Sequence, residues 1–358
     1  MLVGLAFSWI DGRLKPVHHN ILAELPKRIV EVAKRFNLDG QTTTYAVCPS
    51  CHSLYKAELK SGSAKPQYPE RCTNTILGTG ECGTPLLQDG WLSGFTRKKP
   101  IKPFVYHHLD DFVGSLLSRS DLEDFIDKSC DDLAASVNAK ESKRSFVSDV
   151  FEADFLRSFE GPDSKKLFVD RGDEGRLVFA LNVDFFNPEG LRIRGARASC
   201  GIIAMACLNL PVSIRYQTEN MYLAGVIPGP FEPCGTDLNH YLAPLVDDLE
   251  ESWKKGVHYS CTARHPNGRT VRTAIACCIC DLPGARKTAA LASSKCHHHF
   301  CSLCDCSGKG TLGRVDREAW KERSADEMRA HATAWRDAAT LDERVELFKK
   351  HGVRWLSP

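Results

Sequence analysis

The feature that most constrains the fold is the order of strand-like and helix-like segments between residues 175 and 281. Residues 176–186 alternate apolar and polar side chains with a period of two, which indicates a strand. Residues 199–210 and 221–227 are two further apolar strand candidates. Leucines at helical spacing then predict a helix over 238–253. The continuous apolar run 274–280 follows, and such a run is typical of a strand buried on both faces.

Three strands, a helix and a buried strand are the order of elements in a ribonuclease-H-like α/β core, and we predict this fold class. In that fold the first strand and the buried strand lie side by side, so Asp184 and Asp281, near their ends, are expected to face each other. Carboxylates on neighbouring strands suit two Mg²⁺ ions about 3.5–4 Å apart, which clamp the attacking and leaving oxygens of a phosphodiester. The alternative is that each aspartate is an ordinary turn or cap residue.

Local signals refine these elements. Asp237 is expected to cap the helix, Pro244 to kink it and Gly256 to end it. The turn 266–268 (Pro-Asn-Gly) predicts a hairpin that leads into the buried strand. The cysteines of that strand are expected to act as small hydrophobic side chains, and they are Cys277, Cys278 and Cys280.

Sixteen cysteines occur mainly in short steps, which favours metal sites in a reducing compartment over a secreted disulfide framework. The glycine- and proline-rich segment that contains Cys48, Cys51, Cys72 and Cys82 predicts a four-cysteine zinc ribbon. Zinc can stabilise a segment too short to have its own core. His52 is a possible substitute ligand, and unrelated free thiols are the alternative.

A second group of potential ligands follows Asp281. Cys301 and Cys304 with nearby histidines could bind zinc, or the segment could be a loop with surface histidines and half-buried thiols. The sequence leaves both open because it offers more ligands than one site needs, namely Cys296, His297, His298, His299, Cys301, Cys304 and Cys306.

The net charge of +2 over 358 residues excludes a global basic field, so any contact with nucleic acid must come from local patches. Two basic groups follow the strands that carry the aspartates, and they could bind phosphates at the rim of the acidic site or lie in solvated turns. They are Arg192, Arg194 and Arg197, and then Arg286 and Lys287. The apolar runs are shorter than the roughly 20 residues of a membrane span, and the first ten residues lack a basic start, which predicts a soluble, intracellular protein.

Composition divides the chain into five predicted segments. These are an N-terminal helical segment (1–40, with a helix at 20–36), a zinc-ribbon-like segment (41–95), a helical linker region (96–165, opened by Arg97-Lys98-Lys99), the ribonuclease-H-like core (166–300) and the start of a helical insertion domain (301–358). The linker region is expected to hold helices at 109–117 and near 121–128. A helix at 325–337 and a capping-box pattern at Thr340 and Glu343 mark the last segment.

Several strings, in order and with matching spacing over roughly residues 166–305, resemble the CACTA-type (En/Spm-like) DNA transposase family, in particular fungal members. They are FALNVDFFNPEG at 179–190, LNLP at 208–211 with IRY at 214–216, YLAGVIPGP at 222–230, HYLAPLVDD at 240–248, CDLPGARK at 280–287 and FCSLC at 300–304. The segments on either side also resemble those of fungal members.

The resemblance implies a cut-and-paste DDE/D transposase that uses Mg²⁺ or Mn²⁺ to cleave and join DNA at terminal inverted repeats. Asp184 is similar to the first catalytic acid and Asp281 to the second, while Cys301 and Cys304 match a Cys-x-x-Cys step that follows it. It further implies transposon and target DNA as partners, self-association and a nuclear location. The third acid is expected after the insertion domain, so the resemblance also implies an incomplete copy.

Two other function classes remain open at this stage. A catalytically dead or domesticated DNA-binding protein would keep the transposase fold and bind DNA without metal-dependent nicking. A zinc-ribbon interaction protein with no role on nucleic acid would lack salt-sensitive DNA binding. A thiol redox enzyme is disfavoured, because no Cys-x-x-Cys opens a helix after a strand.

Overall fold

The computed structural model describes residues 9–10, 13–14, 31, 40–59, 65–92, 95–139, 146–188, 190, 198–308, 313, 315–316, 318 and 320–356. The chain divides into two compact units, residues 1–41 and 42–358. In the first unit a two-stranded antiparallel hairpin pairs Trp9–Ile10 (β1) with Arg13–Leu14 (β2). The helix predicted over 20–36 lies outside the described residues, except for Glu31, which is helical.

The second unit is a mixed α/β structure built on one large sheet. Its strands are Thr42–Val47 (β3), Leu54–Lys56 (β4), Thr75–Ile76 (β5), Gly80–Glu81 (β6), Leu87–Leu92 (β7), Phe95–Pro100 (β8), Pro103–His107 (β9), Gly175–Phe186 (β10), Cys200–Cys207 (β11), Met221–Ile227 (β12), Val257–Tyr259 (β13) and Arg269–Cys278 (β14). Eight of them form the sheet, in the order β13-β14-β10-β11-β12-β9-β3-β4. Strands β5 and β6, and β7 and β8, form separate hairpins.

The helices are Leu109–Leu117 (α1), Ser120–Asn138 (α2), Asp154–Arg157 (α3), Val212–Arg215 (α4), Leu238–Lys254 (α5), Leu282–Thr288 (α6), Ala325–Asp337 (α7) and Leu341–His351 (α8). The predicted helices at 109–117 and 325–337 are confirmed, and the helix expected near 121–128 is longer. No described helix is both long and apolar enough to cross a membrane.

Strand β10 is the centre of this arrangement. It pairs antiparallel with β11 and parallel with β14, so the predicted adjacency of the first strand and the later strand is confirmed. Strand β11 in turn pairs antiparallel with β12. The observed order therefore has three antiparallel strands, then helix α5, then a strand parallel to the first.

The two faces of β10 contribute to two hydrophobic cores, because side chains alternate along a strand. Leu177, Phe179 and Val183 pack with residues of α1 and α5 on one face. Val178 and Ala180 pack with residues of α2 and α3 on the other. Each large apolar side chain that is fully buried contributes about 1.5–3 kcal/mol, so these alternating contacts hold β10 rigidly between the helices.

Three local expectations are corrected by the structure. Asp237 precedes α5, but its side chain makes no capping hydrogen bond. The basic run Arg97-Lys98-Lys99 lies within strand β8 and pairs with β7, because the alternating pattern there was too short to distinguish a strand from a linker. Strands β3, β4 and β9 belong to the same sheet as β10, so the sheet continues from the cysteine-rich segment into the core.

The strand expected to be buried on both faces is buried only in part. Strand β14 begins earlier than predicted, at Arg269, and it ends at Cys278, which is exposed. Cys277 and Cys280 are half-buried. Near the end of β14, the apolar run packs on one face of the strand. Cys278 is therefore not the buried hydrophobic residue that the sequence predicted.

A buried ion network joins α2 to the hairpin before β14. The carboxylate of Glu123 is fully buried and accepts hydrogen bonds from Thr262 Oγ1 (2.7 Å), the backbone N–H of Arg264 (2.8 Å) and Arg269 Nη1 (3.2 Å). Arg269 also donates to both carboxylate oxygens of Asp127, at 2.8 and 3.0 Å. Because the guanidinium is buried as well, each charge depends on the other for compensation.

We predict that Glu123→Ala destabilises the protein by about 3–5 kcal/mol, because it leaves the charge of Arg269 buried with less compensation. The free energy of unfolding in urea, followed by circular dichroism, measures the loss. The matched control is Asp124→Ala on the same helix, whose exposed carboxylate pairs with exposed Arg264. We expect the control to lose far less stability. Equal losses in the two variants would contradict the structural role of this network.

Candidate functional site

The two candidate acids lie at the same edge of the sheet. Asp184 is the third residue from the end of β10 and is exposed, while Asp281 is exposed and directly precedes α6. The parallel pairing of β10 with β14 carries both strands toward this edge, because parallel strands end on the same side of a sheet. The order of elements predicted that the two strands lie side by side, and they do.

The pairing continues past the end of β14 and brings the neighbours of the two aspartates into contact. The N–H of Ile279 donates to the carbonyl of Leu181 (2.8 Å), and the side-chain amide of Asn182 donates to the carbonyl of Ile279 (2.5 Å). One step further, the N–H of Val183 lies 3.2 Å from the sulfur of Cys280. Val183 and Cys280 immediately precede the two acids, so the backbones that carry the carboxylates run side by side.

Each candidate acid has one oxygen held by a backbone amide. Asp184 Oδ1 accepts from the N–H of Phe185 (2.8 Å), and Asp281 Oδ1 accepts from the N–H of Gly284 (2.6 Å), which caps α6. Among the described residues, no hydrogen bond reaches the second oxygen of either carboxylate. These two oxygens are hard ligands of the kind that Mg²⁺ and Mn²⁺ prefer.

Gly284 fixes the distance between α6 and β10. A Cβ at this position would lie 2.7 Å from Asp281 Oδ1 and 3.0 Å from the carbonyl oxygen of Val183. Only glycine allows so close an approach. The first turn of α6 therefore rests directly on the strand that carries Asp184.

Lys287 lies on the same helix and faces the end of β10. Its ammonium group is 4.2 Å from the ring centroid of Phe185, the residue after Asp184, and it forms an ion pair with Glu232. Glu232 also accepts a hydrogen bond from Ser199 Oγ (2.9 Å). Burial would raise the pKa of Glu232, but the hydrogen bonds from Lys287 and Ser199 outweigh it and hold that pKa below its usual value.

No sequence pattern marks Ser199 or Glu232 as site residues. The signal that could have found them is the antiparallel pairing of β11 with β12, in which Gly201 lies opposite Ile227. That register places the residues before β11 beside those after β12, and the N–H of Ser199 accordingly donates to the carbonyl of Pro230 (2.8 Å).

The sequence predicted that Arg286 lies at the rim of the acidic site, but the structure places its side chain inside the protein. Its side chain is only 3% exposed and donates to the carbonyls of Ala292 (3.2 Å) and His299 (3.0 Å). Burial lowers the pKa of its guanidinium. It anchors the segment after α6 from the inside, because helical periodicity turns Arg286 inward when Lys287 faces β10. Arg192, Arg194 and Arg197 lie outside the described residues.

The four cysteines predicted to form a metal site lie together in the structure. The sulfurs of Cys48, Cys51, Cys72 and Cys82 all lie within 4.8 Å of one another, with Cys48 and Cys82 at 3.8 Å and Cys51 and Cys72 at 3.5 Å. Zn–S bonds of about 2.3 Å in a tetrahedron place the sulfurs roughly 3.8 Å apart. The cluster can therefore hold a metal ion with four thiolate ligands.

Burial and hydrogen bonding give these thiols different pKa values. Burial raises the pKa of Cys72 to about 12, whereas the hydrogen bond from Thr84 lowers the pKa of Cys82 to about 6. Lys102 is buried nearby, and burial lowers the pKa of its ammonium group, which the Cys48 thiol partly offsets. A cation beside the cluster compensates the excess negative charge that four thiolates carry.

His52 is not part of the cysteine cluster. Its Nδ1 is 2.9 Å from the hydroxyl of Tyr241 in α5, and its side chain is buried. Burial lowers the pKa of His52 to about 4, so the ring is neutral at physiological pH. It links the cysteine cluster to α5 and is not the substitute ligand that the sequence allowed.

The second group of potential ligands is partly assembled. Cys304 Sγ lies 3.2 Å from Cys301 Sγ and 3.1 Å from Cys306 Sγ. His299 instead interacts with Arg323, whose Nη2 is 3.2 Å from its Nδ1. The structure thus brings the sulfurs of Cys301 and Cys304 together, as the spacing suggests, and adds Cys306 to them.

Part of the chain matches a known protein family. Residues 165–319 match the sequence model of the transposase family described as "Transposase family tnp2". The matched segment contains Asp184, Asp281, Cys301 and Cys304, and it supports assignment to a transposase family. No curated protein matches the chain.

We predict that Cys82→Ser lowers bound zinc by one ion per chain and lowers the midpoint of thermal unfolding, because the segment gains part of its folding free energy from the metal. Metal content by mass spectrometry and a thermal melt measure both effects. The matched control is Cys234→Ser, which changes an exposed cysteine outside the cluster and should alter neither. Unchanged zinc content in Cys82→Ser would exclude this cluster as a zinc site.

Proposed function

We propose that the chain is a DNA transposase of the CACTA (En/Spm) type, with DDE/D chemistry carried out in a ribonuclease-H-like core. The observation that carries the proposal is the parallel pairing of β10 with β14, which brings Asp184 and Asp281 to one edge of the sheet. Both residues lie within the segment that matches the transposase family. The order of three antiparallel strands, a helix and a parallel strand supports the ribonuclease-H-like assignment.

In this proposal Asp184 and Asp281 hold Mg²⁺ or Mn²⁺ through the carboxylate oxygens that no described residue occupies. The ions, when bound, stabilise charge on the attacking and leaving oxygens of a phosphodiester. The backbone amides of Phe185 and Gly284 fix the orientation of the two carboxylates before the substrate arrives. The substrate is the DNA at the terminal inverted repeats of the element, which is first cut and then joined to target DNA.

Basic residues near the two acids are proposed to bind the DNA backbone. Lys287 contacts the ring beside Asp184 and is 24% exposed at its side chain, so its ammonium group can exchange Glu232 for a phosphate. Arg192, Arg194 and Arg197 follow β10 in the sequence and are proposed to extend this surface. Such contacts release counterions, so DNA binding should weaken as salt rises.

The cysteine cluster is proposed to be a zinc ribbon that stabilises the residues beside the core or helps to dock DNA. The sulfur distances support zinc over unrelated free thiols. Cys301 and Cys304 are proposed as ligands of a second zinc ion. A nuclear location, fungal origin and self-association on DNA follow from the proposed family and function.

We predict that Asp184→Asn and Asp281→Asn each reduce metal-dependent nicking of DNA that carries the terminal repeats by at least about 10²-fold, because each removes a charge that holds the ions. The assay uses the full-length transposase with Mg²⁺ or Mn²⁺. The matched control is Asp247→Asn, an exposed aspartate of α5 within the matched segment, which should retain nicking.

The same assay distinguishes the proposed enzyme from a DNA-binding protein that has the same fold but does not cleave DNA. Nicking that persists in both variants would contradict the assignment of the two acids. Salt-sensitive binding to the repeats by the unchanged protein, with no nicking in either metal, would instead favour a DNA-binding protein that keeps the fold without the reaction.

A further inference from the structure

We propose that the protein has a second divalent-cation site, separate from Asp184 and Asp281, at the junction of the N terminus of α1 with α5. Its ligands are His108, Asp110 and Asp248. One ligand atom from each residue lies within 4.8 Å of the others, which is the spacing needed to coordinate a common ion.

Three segments meet at this junction. His108 directly follows β9, Asp110 is in the first turn of α1, and Asp248 projects from α5. Nδ1 of His108 lies 3.6 Å from Oδ2 of Asp248. That distance exceeds an ordinary hydrogen bond, so the imidazole and the carboxylate lie close together without a hydrogen bond between them.

The ring of His108 is oriented by a partner on another strand. Its Nε2 lies 2.8 Å from Oγ1 of Thr43 in β3. When Nε2–H donates to this hydroxyl, Nδ1 carries the lone pair and faces Asp248. A histidine that binds a metal almost always donates its other ring N–H in this way, because the hydrogen bond fixes the tautomer and the ring.

Asp248 is also held in place. Its Oδ2 accepts from the hydroxyl of Tyr106 (2.7 Å) and from the N–H of Leu109 (3.1 Å). Among the described residues, no hydrogen bond reaches its Oδ1. The carboxylate is thus fixed by one oxygen and can offer the other to a cation.

A cavity adjoins two of these ligands, Asp110 and Asp248, and one residue of its lining has a polar atom without a partner. Its volume is about 50 Å³, and its lining includes Asp110, Asp248, Glu251 and Thr273. Thr273 is 2% exposed, and its Oγ1 has no hydrogen-bond partner within the described chain. A buried hydroxyl without a partner is costly, and a volume of this size has room for a cation and one or two waters that would satisfy it.

The charge around the cavity favours a cation. Glu251 on the cavity wall has an exposed partner in Lys255, at 3.6 Å. No lysine or arginine of the described residues pairs with Asp110 or Asp248.

A second group of acidic residues with a histidine differs from this one, because an arginine lies between its carboxylates. Glu123, Asp127 and His265 also have ligand atoms within 4.8 Å of one another. There the guanidinium of Arg269 lies between the carboxylates, with Nη1 at 3.2 Å from Glu123 and 2.8 Å from Asp127. An arginine already supplies the positive charge in that group, whereas the His108 group has none.

Two carboxylates and one imidazole suit a hard or borderline divalent ion such as Mn²⁺. The ion would join α1 to α5 directly and would join β3 to them through Thr43. It would therefore link the strands next to the cysteine cluster to the strands that carry the proposed catalytic acids. This ion site is independent of the cleavage reaction, since neither Asp184 nor Asp281 contributes a ligand to it.

The experiment measures Mn²⁺ binding by electron paramagnetic resonance in a protein that carries Asp184→Asn and Asp281→Asn, so that the edge of β10 no longer competes for the ion. We expect one bound Mn²⁺ per chain. Adding Asp110→Asn should weaken Mn²⁺ binding by more than roughly 10- to 100-fold. A loss of that size is expected when the residue removed only hydrogen-bonds to a metal ligand, whereas Asp110 is proposed to bind the ion itself. Adding Asp111→Asn instead makes the same charge change one residue away, and it should preserve binding.

Thermal unfolding in the same variants controls for folding. Mn²⁺ should raise the midpoint in the background protein and in the Asp111→Asn variant, but not in the Asp110→Asn variant. Absence of bound Mn²⁺ in the background protein would overturn the proposal, as would equal affinities in the Asp110→Asn and Asp111→Asn variants. Neither result bears on nicking by the unchanged protein, so the proposed function can fail or stand separately.

Discussion

The parallel ladder between β10 and β14 is the interaction on which the rest of the structure depends. It places a strand from late in the chain beside the first strand of the core, and hydrogen bonds continue it from Leu181 to Ile279 beyond the regular strand. Helix α6 then starts against Val183 because Gly284 has no side chain. The ladder also brings together Val183 and Cys280, the residues directly before the two candidate acids, whose N–H and sulfur lie 3.2 Å apart.

Buried charge is the second constraint, and it explains why several basic residues are not free to bind DNA. Arg269 and Arg286 are both buried, and each costs free energy unless its hydrogen bonds compensate it. Arg269 has two carboxylates, whereas Arg286 relies on backbone carbonyls. Lys287, beside Arg286 in the sequence, remains partly accessible, because consecutive residues of a helix point about 100° apart.

Local patterns predicted much of the core and less of its surroundings. The period-two pattern located β10, and the run at 221–227 located β12 at its exact bounds, because their side chains alternate against defined cores. The joining of β3, β4 and β9 to the same sheet depends on pairing between distant residues, which no local pattern contains. The same holds for Glu232 beside Lys287, and for the inward orientation of Arg286, since helical spacing alone does not tell which face is buried.

The separation of ligand types has a chemical consequence. Cysteine sulfurs are grouped at residues 48–82 and 301–306, whereas the candidate oxygen ligands lie at the end of β10 and at the start of α1. Thiolates are soft ligands that suit zinc, and carboxylates are hard ligands that suit Mg²⁺ or Mn²⁺, so the two kinds of cluster favour different ions. Cys278 and Cys280 are the exception, because their sulfurs lie 3.3 Å apart directly before Asp281. At this end of the sheet, soft sulfur donors and hard oxygen donors therefore lie next to each other.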